Sequence, residues 1–265
     1  MNDDRFATAF GGAAQEYERG RPAYPVKAID ALSLEFELGP DSVVVDLAAG
    51  TGKLTRDLVG RFARVIAIEP LAEMRDQLKR RVPEAESLDG TAEDIPVADA
   101  RAHAVLVAQA FHWFDGRRAL DEIARVLKPG GGLGLMWNTT PWENRETPWF
   151  ALLDDLLERR RVNLATLRRN ASGLWRHAFD GERRFRQLAE ATFDNPQRMT
   201  AEEFVDGFAS RSYIAVLDPE ERAALLGEVG ALLERADAPV DDGQVIVPMR
   251  TACYWTRLTV SPDAK

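Results

Sequence analysis

Two neighbouring stretches decide the fold of this chain: Val43-Val-Val-Asp-Leu-Ala-Ala-Gly-Thr-Gly-Lys-Leu-Thr-Arg-Asp-Leu58 and Val65-Ile-Ala-Ile-Glu-Pro70. Each begins with a short apolar run, and the first run leads through glycines into an amphipathic segment. This order is typical of a buried strand, a tight turn, a helix and a second buried strand, which together form a parallel βαβ unit. Gly50 and Gly52 lack Cβ and tolerate positive φ, so they let the backbone approach a ligand closely. Glu69, at the end of the second strand, is placed to accept hydrogen bonds from two ribose hydroxyls.

The residues around the loop separate the ligand classes that use such a unit. A phosphate-binding P-loop has a glycine five positions before Gly-Lys and a Ser or Thr after it. Here Leu47 takes the place of that glycine and Leu54 takes the place of the hydroxyl residue. A dinucleotide-binding loop has a third small residue, where this chain has Thr55, so that class is weakened but stays open.

The acids on either side of the loop favour a third class. S-adenosylmethionine carries a ribose and a sulfonium cation but no phosphate. Asp46 and Glu69 suit such a cation better than they suit a pyrophosphate, whose charge they would repel. The sequence therefore predicts S-adenosyl-L-methionine as the cofactor.

Four motifs in succession resemble those of the class I S-adenosylmethionine-dependent methyltransferases, in the family's order and spacing over residues 40–138. They are Val45-Asp-Leu-Ala-Ala-Gly-Thr-Gly52, Ala67-Ile-Glu-Pro70 with Met74, Gly90-Thr-Ala-Glu-Asp-Ile-Pro96 and Arg125-Val-Leu-Lys-Pro-Gly-Gly-Gly132. One departure is Ala48, where the family often has the first glycine of the loop. Alanine narrows the backbone conformations that are available at that position.

A narrower resemblance is to the small-molecule subgroup that includes trans-aconitate methyltransferase-like proteins. The segments that carry it are Tyr17-Glu-Arg-Gly-Arg-Pro-Ala-Tyr-Pro25, Gln109-Ala-Phe-His-Trp-Phe-Asp115, Ser210-Arg-Ser-Tyr213 and Val245-Ile-Val-Pro248. This resemblance implies a small-molecule acceptor but does not identify it.

Composition sets broader limits. The 265 residues carry a formal charge of −9, which argues against a protein that holds nucleic acid through a general positive field. The single cysteine, Cys253, excludes an intrachain disulfide and a cysteine-cluster metal site. We find neither a secretory signal nor an apolar run long enough to cross a bilayer, so we expect a cytoplasmic enzyme with no membrane partner. The oligomeric state stays open between monomer and homodimer.

The pattern of apolar residues predicts an α/β fold with a Rossmann-like, doubly wound sheet of mostly parallel strands. The predicted strands are Val43–Leu47, Val65–Ile68, Ala85–Leu88, Ala104–Ala108 and Leu133–Trp137, and the helices between them are Leu54–Phe62, Leu71–Val82 and Arg118–Leu127. A strand over Gln244–Leu258 could pair with Ala189–Arg198 as an antiparallel C-terminal hairpin. That pairing would complete the seven-stranded sheet that the family resemblance implies.

We expect one methyltransferase domain over 1–265, with a helical lid inserted after the fifth strand. Its parts are N-terminal cofactor-covering helices at 1–40, a cofactor-binding core at 41–138, the lid at 139–186, and C-terminal strands and helices at 187–265. Helices are predicted at Trp149–Arg161, Leu164–Arg169, Ala201–Ala209 and Pro219–Ala236. Residues 143–186 hold ten arginines against seven acids. One of these arginines could pair with a substrate carboxylate, although we expect most of them on solvated helix faces.

Ligands of open α/β sheets bind at the carboxyl ends of the strands. That rule and the family resemblance together give the predicted cofactor-binding residues: Tyr17, Arg21, Asp46, Ala48, Gly50, Gly52, Glu69, Pro70, Met74, Thr91, Ala92, Glu93, Gln109 and Ala110. For Met74, a helix packing face is an equally good interpretation. We expect the N-terminal segment to cover the methionyl end of the cofactor, with Arg21 near its carboxylate.

On the acceptor side, we predict substrate contacts from Phe111, Trp113, Trp137, Asn138, Trp142 and Tyr213. His112 is a candidate for a catalytic base or a substrate hydrogen bond, and the competing interpretation is an imidazole that orders its loop. A base is needed for a hydroxyl acceptor but not for a carboxylate. We predict no metal, because the three histidines at 103, 112 and 177 are scattered along the chain.

The sequence thus predicts methyl transfer to a small organic acceptor, at a carboxylate or hydroxyl oxygen, by proximity and exclusion of water. Three alternatives stay open: a methyltransferase that acts on RNA or protein, a non-catalytic S-adenosylmethionine-binding protein, and a dehydrogenase.

Overall fold

Ten strands are found in the described part of the chain, which in this computed structural model comprises residues 22–139, 148–160, 162 and 173–259. They are β1 (Val43–Leu47), β2 (Arg64–Ile68), β3 (Glu86–Leu88), β4 (Ala102–Ala108), β5 (Leu127–Thr139), β6 (Ala189–Asp194), β7 (Gln197–Met199), β8 (Val240–Asp241), β9 (Gln244–Val247) and β10 (Arg250–Arg257). The helices are α1 (Val26–Glu35), α2 (Lys53–Leu58), α3 (Ala72–Arg81), α4 (Gly116–Val126), α5 (Pro148–Arg159), α6 (Ala201–Ala209), α7 (Ser212–Ala215) and α8 (Pro219–Leu233). Short 3-10 helices cover Phe111–Trp113 and Leu174–Phe179.

A seven-stranded sheet with the order β3-β2-β1-β4-β5-β10-β6 positions the candidate site. Its first five strands are parallel, with Val45 opposite both Ile66 of β2 and Val105 of β4. All five residues of β1 are buried, as expected for a strand that is covered on both faces. The predicted mostly parallel, doubly wound sheet is therefore confirmed.

Helix α4 shows how the sequence places its helices against this sheet. Ala119, Leu120, Ile123 and Val126 recur at helical spacing and are buried, while Asp115 caps the helix by accepting a hydrogen bond from the Arg118 amide. The apolar stripe therefore faces the sheet, and the polar face of the helix remains outside.

The predicted C-terminal hairpin is divided between two sheets. The stretch Gln244–Leu258 forms β9 and β10, not one strand, because Pro248 has no amide hydrogen and the Met249 amide turns back to the Val247 carbonyl at 2.8 Å. Strand β10 enters the large sheet beside β6, whereas β9 pairs antiparallel with β7 and β8 in a separate three-stranded sheet.

The chain divides into two compact units. Of the described residues, the larger unit contains 23–137, 173–193 and 251–259, and the smaller one contains 22, 138–139, 148–160, 162 and 194–250. The smaller unit has its own apolar core, in which α5, α6 and α8 pack with the three-stranded sheet through residues such as Trp149, Phe150, Phe208, Val229 and Val245. The predicted helix Leu164–Arg169 lies outside the described residues. No helix in the described ranges is long and apolar enough to cross a membrane.

Candidate active site

The two loop glycines at the end of β1 have different surroundings. Gly50 and Gly52 both have positive φ, at 59° and 88°. A Cβ added to Gly50 would meet no atom within 4 Å, whereas one added to Gly52 would lie 3.1 Å from Val82 Cγ2 and 3.2 Å from Leu78 Cγ. Gly50 therefore borders open space, and Gly52 lets the loop pack closely against α3.

Glu69 connects this loop to the end of β2. Its Oε2 accepts a hydrogen bond from the Gly50 amide at 2.9 Å, and its Oε1 accepts one from the Leu71 amide at 2.9 Å. The side chain is buried, and burial raises the pKa of the Glu69 carboxyl while the two amide hydrogen bonds oppose that rise. The acid predicted to bind ribose is thus already held in place by backbone donors on both sides.

Asp46 is a second buried acid below the loop. Its Oδ2 accepts a hydrogen bond from the Thr55 hydroxyl at 2.6 Å, and its Oδ1 is buried with no hydrogen-bond partner among the described residues. The pKa of Asp46 is raised to about 7, chiefly by burial and also by the nearby Glu69 charge, against the opposing effect of the Thr55 hydrogen bond. Thr55, which weakened the dinucleotide interpretation, thus holds the Asp46 carboxyl.

At this edge of the sheet, two adjacent strands are each followed by a residue whose backbone is in the left-handed conformation. Ala48 follows β1 with φ 60°, and Gln109 follows β4 with φ 61°. Such a conformation costs a residue with a side chain about 1–2 kcal/mol. The backbone N–H of Gln109 donates a hydrogen bond to the Met136 carbonyl at 2.8 Å, which fixes the turn to β5. The strain at Gln109 had no signal in the sequence, since no glycine pattern marks that position.

The remaining predicted cofactor residues lie around the same edge. Pro70 follows β2 and is exposed, while Met74 on α3 and Ala92 are buried. The Thr91 amide donates to the Asp94 carbonyl at 3.2 Å, which forms a tight turn. Glu93 Oε1 accepts from the Asp115 amide at 2.8 Å and so connects this turn to the start of α4.

On the other side of Gln109 and Ala110, the 3-10 helix Phe111–Trp113 begins an aromatic cluster. Phe111 is 1% exposed and packs against Phe179, with ring centroids 5.7 Å apart, so it is part of the core. Trp137, at the end of β5, stacks on Trp175 with centroids 4.8 Å apart. Trp175 and Tyr254 also belong to this cluster but were not predicted, because neither follows a motif or a predicted strand end.

The imidazole ring of His112 is hydrogen-bonded to this cluster. The Trp137 indole N–H donates to His112 Nδ1 at 3.3 Å. The two side chains come from the carboxyl ends of adjacent strands, β4 and β5, which explains why residues 25 positions apart meet. His112 is half-buried.

Five predicted residues have other placements or lie wholly or partly outside the described ranges. Asn138 belongs to the smaller unit, where its Oδ1 accepts from Asn195 Nδ2 at 3.1 Å. Tyr17, Arg21 and Trp142 lie outside the described residues. Tyr213 is in α7, and its side chain is not among those described.

Several described arginines of the arginine-rich segment 143–186 form ion pairs with acids of the chain itself. Of its six described arginines, three form ion pairs: Arg160 with Glu228, Arg176 with Glu190 at 2.6 Å, and Arg184 with Asp121 at 2.8 Å. Arg176 also lies over the Tyr254 ring, 4.5 Å from its centroid. Among the described residues, no three His, Cys, Asp or Glu side chains are grouped so that they could hold a metal ion.

These features fit an adenosine-bearing cation. Open space beside Gly50 leaves room for a ligand, and the unpaired Asp46 Oδ1 is a buried acceptor below the same loop. Negative charge on Glu69 and on the ionised form of Asp46 would attract such a cation and would repel a pyrophosphate.

Comparison with known proteins supports this assignment. Residues 45–135 match the family model described as "Methyltransferase domain". The chain is 38% identical over 255 residues to an uncharacterized methyltransferase of Mycobacterium tuberculosis (strain ATCC 25618 / H37Rv), covering 94% of this chain and 96% of that protein. It is 32% identical over 242 residues to an uncharacterized methyltransferase-like protein of Schizosaccharomyces pombe, covering 91% and 90%.

Two solved structures share the fold. One, described as a type II methyltransferase from Anaeromyxobacter dehalogenans, has a TM-score of 0.60 and 22% identity, covering 91% of this chain and 97% of its own. The other, described as a methyltransferase from Anabaena variabilis, has a TM-score of 0.61 and 19% identity, covering 89% and 98%.

Proposed function

Because this chain belongs to the class I S-adenosylmethionine-dependent methyltransferases, we propose that it methylates a small organic acceptor at an oxygen atom, either a carboxylate or a hydroxyl. The observation that carries this proposal is the aromatic cluster beside His112, at the carboxyl ends of β4 and β5. An aromatic surface with few polar groups suits a small organic molecule and excludes water from the reacting atoms.

When bound, the cofactor supplies a methyl group that its sulfonium has already activated. Glu69 would bind the ribose hydroxyls, the loop at Gly50 would pass close to the methionyl part, and Asp46 would place negative charge near the cation. Met74 and Ala92 would provide apolar surface for the adenine. The protein therefore contributes alignment and a dry site.

At the acceptor, an oxygen lone pair forms the bond to the methyl carbon while the carbon–sulfur bond breaks and its electron pair stays on sulfur. A carboxylate oxygen has no proton to lose, whereas a hydroxyl must also give up its proton to a base. Trp113 and Trp137 would wall this space, Phe111 would support that wall from the core, and His112 is the candidate polar group next to it.

The segment at 139–186 would act as a lid that contributes to acceptor choice, together with Asn138, Trp142 and Tyr213. The N-terminal segment would cover the cofactor through Tyr17 and Arg21. Substitution R21A should therefore weaken binding of S-adenosylmethionine, while R19A, the same change two residues away, should not. Equal affinities of the two variants would refute the assignment of Arg21.

The pairing of arginines with internal acids favours a small molecule over RNA. Arg160, Arg176 and Arg184 each have a carboxylate partner in the chain. RNA phosphates would have to displace those partners, in a chain of net charge −9. The other alternative is a protein that binds S-adenosylmethionine without transferring its methyl group. A measurement of turnover distinguishes that alternative from an enzyme.

A transfer assay tests the proposal. Protein and S-adenosylmethionine with a tritiated methyl group are incubated with small-molecule extract, total RNA or total protein, and label is followed in each fraction. We expect label in the small-molecule fraction alone. Release of labelled methanol by mild alkali would identify a carboxyl ester, and an alkali-stable product would identify a hydroxyl acceptor. Label in RNA or protein, or no transfer at all, would refute the proposal.

A further inference from the structure

The hydrogen bond between Trp137 and His112 fixes where the imidazole carries its proton. The indole nitrogen of tryptophan is a donor only. Since Trp137 Nε1 donates to His112 Nδ1 at 3.3 Å, Nδ1 must be the unprotonated nitrogen. In a neutral imidazole the proton then lies on Nε2, which can donate a hydrogen bond but cannot accept one.

The indole is held in this position by its surroundings. Trp137 is 2% exposed, stacks on Trp175 and contacts Tyr254 edge-on, with centroids 5.7 Å apart. Arg176 lies over both of those rings and pairs with Glu190. Rotating the indole away from His112 would break these contacts and would leave its N–H without its acceptor in a buried site.

The imidazole is held as well. His112 lies between Phe111, which is almost fully buried, and Trp113, whose amide donates to the Ala110 carbonyl at 2.8 Å. The short 3-10 helix thus fixes the backbone on both sides of the ring. The tautomer is set by two side chains that each have little freedom to move.

We propose that His112 acts toward the acceptor as a hydrogen-bond donor through Nε2, and that Trp137 is the positioning residue that holds it in this tautomer. This inference rests on the proposed function, because it assigns His112 a role at the acceptor. A general base needs an unprotonated nitrogen, and the indole occupies the one that His112 has. If Nδ1 were protonated, its N–H would point at the indole N–H of Trp137, and the hydrogen bond between the two side chains would be lost.

The donor role has a consequence for the reaction. A donor can orient an oxygen so that one lone pair points at the methyl carbon, but it cannot remove a proton from that oxygen. The site as it stands therefore favours an acceptor whose attacking oxygen carries no proton. A hydroxyl acceptor would need a base other than His112.

The tautomer can be measured without any acceptor. In protein labelled with nitrogen-15 histidine, long-range proton–nitrogen spectra distinguish protonated from unprotonated ring nitrogens, and H112Q identifies the His112 signals among the three histidines. We expect an unprotonated Nδ1 and a protonated Nε2. W137F should lose this fixed state and show averaged nitrogen shifts, whereas W175F, the matched change in the stacked ring, should keep it. A protonated Nδ1 in the parent protein, or an unchanged tautomer in W137F, would overturn the proposal.

Two substitutions of His112 then separate a donor from a base. The amide nitrogen of glutamine reaches the position of Nε2, while that of asparagine reaches only the position of Nδ1. With the acceptor found in the transfer assay, we expect H112Q to keep kcat within about tenfold and H112N to lose more, with unchanged affinity for S-adenosylmethionine in both. Loss of kcat to the same low level in both variants would refute the donor role. If no acceptor is found, the proposed function fails, yet the spectra still decide the tautomer.

Discussion

The Glu69 carboxylate accepts a hydrogen bond from the Gly50 amide at 2.9 Å, so the acid that ends β2 holds the loop that follows β1. One carboxylate thereby has two tasks, since the family resemblance also assigns it the ribose hydroxyls. Its other oxygen accepts from the Leu71 amide. Loop geometry and cofactor binding should therefore fail together when this acid is changed.

The first prediction concerns that coupling. In E69Q the amide group supplies only one acceptor where the carboxylate supplied two, and the charge is lost. Because a hydrogen bond to a charged group contributes about 1.5–3 kcal/mol, affinity for S-adenosylmethionine should fall about 10- to 100-fold. Isothermal titration calorimetry measures it, with E73Q on the exposed start of α3 as the matched control. Equal affinities of E69Q and E73Q would remove Glu69 from the site.

The second prediction separates the two loop glycines. Alanine at either position adopts a left-handed backbone at a cost of about 1–2 kcal/mol. At Gly52 the new methyl also meets Leu78 and Val82, whereas at Gly50 it points into open space. G52A should thus unfold at lower denaturant than G50A, and G50A should lose more cofactor affinity relative to its loss of stability.

Helix α8 offers a control substitution that should raise the free energy of unfolding instead of lowering it. A Cβ at the helical Gly227 would meet nothing within 4 Å, and alanine is favoured over glycine in a helix by about 0.8–1.0 kcal/mol. G227A should therefore raise the free energy of unfolding, which urea titration would show. If G50A and G52A were equally stable, packing against α3 would not explain the glycine at 52.

The third prediction concerns Ala48, the departure from the family motif. Its φ of 60° is left-handed, so glycine should relieve strain of about 1–2 kcal/mol. Glycine costs about 0.5–1 kcal/mol in backbone entropy. A48G should therefore be more stable than the parent by up to about 1 kcal/mol, measured by chemical unfolding. A less stable A48G would show that strain at this position does not limit stability.

The sequence was sufficient to predict the large sheet, because its strands are buried on both faces, and the predicted cofactor residues follow the carboxyl ends of those strands. The pairing of Gln244–Leu258 with Ala189–Arg198 was predicted correctly, but its division was not: Pro248 separates β9 from β10, which belong to different sheets, and a pattern of apolar residues does not reveal that. Contacts between side chains that are far apart in the sequence could not be predicted either. Trp137 and His112 could each be suggested, but their hydrogen bond depends on how β4 and β5 are aligned.

The last prediction concerns the pH dependence of stability that Asp46 imposes. Its pKa is raised from an ordinary value of 3.8 to about 7 in the folded protein, chiefly by burial. Between those two values the folded state holds a proton that the unfolded state has released, so the free energy of unfolding falls as pH rises. Asparagine does not titrate. D46N should therefore match the parent most closely near pH 4 and become progressively more stable than it up to about pH 7.

Above pH 7 the difference should stay constant, at a few kcal/mol, since a tenfold change in an acid dissociation constant corresponds to about 1.4 kcal/mol. Urea unfolding at a series of pH values measures it, and Glu69 titrates in both proteins, so its own contribution largely cancels. T55V provides a second test, because removing the hydroxyl donor should raise the pKa of Asp46 further and extend the decline in stability to higher pH. Parallel stability curves for D46N and the parent would mean that Asp46 does not titrate in this range.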